Sequence, residues 1–167
     1  MKKYTLFVLF AAILLSAGAF TVGESPAPIP SIKVMDLNNK EVDLKSIAGT
    51  GKTTIYSFWA TWCGPCKAEL ASYSSKLASW KKKYNADFYA ISVDQEKSLE
   101  DLKTFAKNKG WTFPILLDYK GIASQTFKIN TIPFLIVVDK KGNIIHKQVG
   151  YDATGEEAFE KRLNEIK

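Results

Sequence analysis

The chain has 167 residues and a formal charge of +6, with 23 lysines and arginines against 17 aspartates and glutamates. That length suits one domain with a core of its own, and two cysteines are too few for a disulfide-stapled scaffold. Arg162 is the only arginine and His146 the only histidine. The basic charge therefore lacks the arginines of a nucleic-acid surface, and a histidine-rich metal centre is excluded.

The first residues read as an export signal. Lys2 and Lys3 form a basic start, residues 6–15 are apolar, and Ser16-Ala17-Gly18-Ala19 is small with an A-x-A pattern. Cleavage is expected after Ala19, leaving a charge near +4. The alternative is a retained anchor, since residues 4–23 carry no charge and are long enough to span a bilayer. Residues 20–30, with Pro26, Pro28 and Pro30, read as a proline-rich linker, and residues 31–167 as one domain.

In that domain, residues 32–36 and 42–44 are predicted as short strands around an Asn38-Asn39 turn. Residues 53–59 are β-branched and aromatic, the pattern of a buried central strand. A single helix over 63–84 follows, with Leu70, Tyr73, Leu77, Trp80 and Tyr84 at helical spacing. Lys81-Lys82-Lys83 reads as its solvated end, where cations suit the helix dipole. Residues 88–93 form the next strand. Ser98 caps a helix, with Asp101 at the box position and Gly110 as the stop. Residues 113–117 are a strand, 119–128 a short helix, 134–138 a strand and 144–149 an antiparallel partner after the 141–143 turn. Thr154 caps a last helix, with Phe159, Leu163 and Ile166 inward. His146 reads as an exposed strand residue without a role. A helix after most central strands implies an α/β fold with a mixed sheet flanked by helices.

The chemistry concentrates in Trp62-Cys63-Gly64-Pro65-Cys66, which holds both cysteines at the junction of the central strand and the long helix. Unpaired backbone N–H groups at a helix start carry partial positive charge, which favours thiolate, the nucleophilic form. Cys63 is the expected nucleophile, partly exposed beside Trp62, with a pKa drawn down toward roughly 7. Cys66, one turn in and more buried, is placed to resolve a mixed disulfide. A purely structural bridge fits poorly, because so short a loop constrains the unfolded chain weakly. Zinc would lack ligands, and covalent haem would require histidine where Lys67 stands.

The ten residues Phe58-Trp59-Ala60-Thr61-Trp62-Cys63-Gly64-Pro65-Cys66-Lys67 resemble the active-site segment of the thioredoxin superfamily, and the resemblance extends over residues 32–167. It implies the thioredoxin fold, here with an N-terminal strand extension and an inserted helix–strand unit over residues 99–117. Cytosolic thioredoxins carry a buried aspartate six residues before the first cysteine, where this chain has Ser57. The exported TlpA/ResA-like branch instead carries a glutamate three residues after the second, which matches Glu69. The resemblance makes Glu69 a proton acceptor for Cys66. On sequence alone it would pass as an exposed glutamate. Where the family often has a proline five residues after the second cysteine, this chain has Ala71, so a less kinked helix is expected.

The resemblance also makes Ile132–Pro133 a cis bond packed against the cysteines, although a proline at a strand start is unremarkable in itself. Thr131, Ile132 and Pro133, with Trp62, Gly64, Pro65 and Gly150, become the substrate face. Trp59 is assigned to the core. The implied activity is thiol–disulfide oxidoreduction outside the cytoplasm, with the Cys63–Cys66 disulfide as the redox group and no bound cofactor or metal. The implied partners are protein disulfides, including haem-site cysteines of apocytochrome c, and a membrane thiol–disulfide carrier as electron donor; the protein is expected to be a monomer. Two rivals are a peroxiredoxin-like thiol peroxidase and a binding module with a locked disulfide. The first would need a threonine where Ala60 stands and an arginine near the cysteine.

Overall fold

A computed structural model describes residues 26–95, 98–151 and 155–165. The signal or anchor assignment, the Thr154 cap and Ile166 lie outside the described residues. Eight strands form one sheet: β1 (Ala27–Pro28), β2 (Lys33–Asp36), β3 (Glu41–Asp43), β4 (Thr53–Trp59), β5 (Ala86–Ser92), β6 (Ile115–Leu117), β7 (Phe134–Val138) and β8 (Asn143–Val149). The helices are α1 (Leu44–Ile47), α2 (Gly64–Ser74), α3 (Leu77–Tyr84), α4 (Leu99–Lys109), α5 (Ile122–Thr126) and α6 (Gly155–Glu165).

The strand order is β1-β8-β7-β4-β5-β6-β2-β3. β4, β5 and β6 run parallel, and every other pairing is antiparallel. This is the mixed sheet of the thioredoxin fold, with β4 inside it and buried at all seven residues. Alternation along β4 separates two cores. Ile55 and Trp59 face Leu70, Tyr73, Trp80, Leu102 and Phe159 of α2, α3, α4 and α6. Tyr56 and Phe58 face Leu44 of α1 and Ala123 of α5, together with Phe127 and Ile29. Trp59 is core, as its apolar context implies.

Four features depart from the sequence reading. The proline-rich stretch is not all linker: Ala27 and Pro28 pair with Ile144 and Asn143, and Ile29 is buried and donates its N–H to Gly142 O at 2.8 Å. Residue 44 opens α1 rather than ending a strand, because Asp43 caps the turn by accepting from Lys45 N at 2.9 Å. The expected continuous helix over 63–84 divides at Ser75-Lys76 even without a proline. There Lys76 N turns back to Tyr73 O at 2.7 Å, and Ser75 Oγ donates to Ser72 O at 2.8 Å. Serine hydroxyls in the run Ser72-Tyr73-Ser74-Ser75 compete for the backbone acceptors that would continue the helix. Finally, His146 is half-buried against Phe159 rather than exposed, and burial holds its imidazole below the ordinary range.

Candidate active site

β4 delivers its C-terminal end directly to the start of α2. Val93 N donates to Trp59 O at 2.9 Å, so the strands stay paired to the last residue of β4, and Cys63 N donates to Ala60 O at 3.1 Å across the turn. Cys63 is then the N-cap of α2, in extended conformation, and its Sγ accepts from Cys66 N at 3.2 Å. A sulfur thus occupies the position that a capping oxygen usually fills. Pro65 sits in the first turn, where a missing N–H costs nothing, and that turn carries no acidic side chain to oppose a negative sulfur.

Cys63 and Cys66 are joined as a disulfide, with Cα atoms 5.3 Å apart. Cys66 is fully buried. Cys63 is only 6% exposed, which corrects the expectation of a partly open thiol: its sulfur is bonded to the fully buried Cys66. Trp62, by contrast, is 71% exposed.

Glu69 lies one turn after Cys66 on α2 and is fully buried; the less kinked helix expected from Ala71 is not found, since the helix breaks at Ser75-Lys76. Its Oε2 accepts from Ser57 Oγ at 2.8 Å, and Oε1 has no hydrogen-bond partner among the described residues. Burial pushes its carboxyl up to about 7, with the hydroxyls of Ser57 and Tyr73 opposing part of that rise. Ser57, where cytosolic thioredoxins carry their aspartate, is therefore the hydroxyl that holds this glutamate.

Ile132–Pro133 is cis. Pro133 is buried, Ile132 half-buried and Thr131 exposed. Trp62, Thr131 and Ile132 share a cleft of about 240 Å³ with Val93, Gln95 and Ser124. Gly150 N donates to Pro133 O at 2.8 Å, and its φ of +79° is open to glycine with little strain. A Cβ there would meet nothing within 4 Å, so backbone conformation rather than crowding within this chain accounts for the glycine. Gly64 and Pro65 are exposed at the surface and do not line the cleft. A larger cavity of about 540 Å³ lies at the starts of β4 and β5, lined by Lys52, Trp80 and Asp87, and none of the site residues borders it.

Sequence reasoning missed a polar cluster beside the cysteines. Asp94, 5% exposed just after β5, accepts from Thr61 N at 2.9 Å, from Thr61 Oγ1 at 2.8 Å and from Ser92 Oγ at 2.7 Å. Asp118, just after β6, accepts from Ala123 N, Ser124 N and Ser124 Oγ at 2.7–3.0 Å, and its own N–H donates to Ser92 O. The available signal was an aspartate directly after each of two apolar strands, a pattern that surface loops share.

Comparison with known proteins agrees with this geometry. The Redoxin family model matches residues 23–163. The thiol-disulfide oxidoreductase ResA of Geobacillus kaustophilus is 30% identical over 172 residues, covering 100% of this chain and 95% of its own. The sporulation thiol-disulfide oxidoreductase A of Bacillus subtilis is 29% identical, covering 89% of this chain and 90% of its own. A solved thioredoxin-like protein from Porphyromonas gingivalis superposes with a TM-score of 0.73 at 29% identity, over 83% of this chain and 90% of its own. With its two cysteines bonded at the head of α2, the chain belongs to the Redoxin family and is a ResA-like thiol–disulfide oxidoreductase on the thioredoxin fold.

Proposed function

We propose that this oxidoreductase works outside the cytoplasm as a reductant of protein disulfides. The observation that carries the reading is the bonded Cys63–Cys66 pair at the N-terminus of α2, with buried Glu69 one turn further along. In the reduced protein, Cys63 as thiolate attacks one sulfur of a partner's disulfide. That S–S bond breaks, a partner thiolate leaves, and a mixed disulfide forms. Cys66 then gives its proton to Glu69 and attacks Cys63 Sγ, releasing the second partner thiolate. Two electrons pass to the partner, and the chain returns to the Cys63–Cys66 disulfide. A carboxyl with a pKa near 7 suits this task, because it accepts and returns a proton close to neutral pH.

Trp62, Gly64, Pro65, Thr131, Ile132, Pro133 and Gly150 form the partner-binding face in this reading. Because the extracytoplasmic space is oxidising, a membrane thiol–disulfide carrier returns the electrons. Haem-site cysteines of apocytochrome c are one candidate substrate. The charge-free stretch over residues 4–23 supports export by a cleaved signal or retention by an anchor; among the described residues no helix is long and apolar enough to cross a membrane. No observation favours the peroxidase alternative: Arg162 lies on α6, exposed and paired with Glu165 at 2.8 Å.

The test is covalent capture. Cys66→Ser accumulates mixed disulfides with extracytoplasmic proteins through Cys63, whereas Cys63→Ser accumulates none; retained disulfide-reducing activity in both variants overturns the mechanism.

A further inference from the structure

We propose that Asp94 is a positioning residue for the reactive cysteine, acting through Thr61. This rests on the reading of Cys63 as the nucleophile. β4 and β5 are parallel neighbours with Trp59 opposite Ser92, so Thr61 and Asp94, each two residues past that pair, lie side by side. All three polar groups of Thr61 are held. Its N–H and hydroxyl donate to the two oxygens of Asp94, at 2.9 and 2.8 Å, and its carbonyl accepts from Lys67 Nζ at 3.1 Å. Asp94 is itself fixed by Ser92, whose hydroxyl donates to it and also accepts from Asp94 N at 3.1 Å. Both ends of the clamp are anchored: Asp94 follows a central strand directly, and Lys67 lies in α2.

The clamped residue stands two before Cys63. The path from β4 to α2 is therefore set by a buried carboxylate rather than by the turn's own preferences. Along that path Cys63 Sγ meets Cys66 N at 3.2 Å. A turn released from Asp94 would let Cys63 drift from the helix N-terminus, and its thiolate would lose that N–H and the local positive field. None of these residues need touch the partner protein.

The test reads Cys63 alone. The fully reduced protein is alkylated with iodoacetamide from pH 5 to pH 10, with Cys63 followed by mass spectrometry. Thr61→Val keeps the charge of Asp94 but removes one bond. Its Cys63 reacts about 2- to 5-fold more slowly at pH 7 and equally fast at pH 10, since a rise of half to one unit from a pKa near 7 lowers the thiolate fraction at pH 7 by that factor. Thr61→Ser restores the parent profile. Asp94→Ala shifts the profile in the same direction as Thr61→Val although it removes a negative charge. A Thr61→Val profile identical to the parent's, with only a lower unfolding midpoint, reduces the cluster to a structural role and overturns the proposal. A downward shift in Asp94→Ala also overturns it, by showing that Asp94 acts through its charge. If Asp94→Ala does not fold, the two Thr61 variants decide. A parent Cys63 that titrates like an ordinary thiol defeats the nucleophile assignment instead, a result visible before any variant is made.

Discussion

Glu69 is a fully buried carboxyl on α2, and its protonation has a measurable consequence. In an unfolded chain it titrates near 4.5, whereas in the folded protein burial raises it to about 7. Between those values the unfolded chain has released a proton that the folded protein still holds, so stability falls as pH rises through that window. The difference of about 2.5 pH units corresponds to about 3 kcal/mol, present in full below pH 4.5 and lost by pH 7. Glu69→Gln cannot ionise, so it gains about 3 kcal/mol on the parent between pH 4 and pH 8, measured by urea unfolding of the oxidised proteins. Parallel stability curves would mean that the carboxyl is not raised. Cys63 and Cys66 stood out because they sit together at one helix start, whereas Glu69 was singled out only by the family resemblance, since its spacing alone fits an exposed glutamate equally well. Asp94 was not legible, because its role depends on Thr61, 33 residues earlier in the chain, and only strand pairing brings the two together.

At the scale of elements, the long, strongly patterned segments were readable: β4, β5, β7 and α4 lie within a residue or two of where their sequences place them. α4 bears its full set of local signals, with Ser98 and Asp101 forming a reciprocal capping box and Gly110 closing the helix at φ +66°. The elements that were missed depend on partners rather than pattern. β1 is two residues long, and only pairing with β8 makes it a strand. The division between α2 and α3 arises from serine side chains whose effect on a helix depends on local competition. The β1 segment gives a direct test of membership in the fold. Ile29 is 1% exposed and packs into the core shared with Tyr56 and Phe58. Ile29→Ala therefore costs about 2–5 kcal/mol in denaturant unfolding, the range for emptying a buried aliphatic site. A residue in a solvated linker would change stability by no more than about 0.5 kcal/mol, so a near-neutral Ile29→Ala would return this segment to the linker.

For the molecule as a whole, redox function and folding stability are two faces of one thermodynamic cycle. The oxidised and reduced folded proteins, with their unfolded counterparts, form a closed square. Whatever makes the folded protein prefer the disulfide therefore also makes the oxidised form harder to unfold. Two local effects compete. Thiolate stabilisation of Cys63 at the head of α2 favours the reduced form, which in the extreme produces an oxidant whose reduced state is the more stable. Burial of Cys66 beside an equally buried carboxyl opposes a second negative charge and favours closing the bond. With one stabilised thiolate, as the proposed mechanism has it, the balance falls toward the disulfide, as the proposed reductant requires. The oxidised protein should then unfold at a higher denaturant concentration than the protein kept in dithiothreitol at pH 7, with a potential near the thioredoxin value of about −270 mV. The reverse order, with a potential near −120 mV, would mark an oxidant; the gap of about 150 mV amounts to about 7 kcal/mol, far beyond the error of either measurement. A potential below about −300 mV would instead mark the locked bridge of a binding module. The order of two unfolding midpoints therefore reads the favoured direction of electron flow without knowledge of the partner, because the fold that holds the two sulfurs is the same fold that the denaturant takes apart.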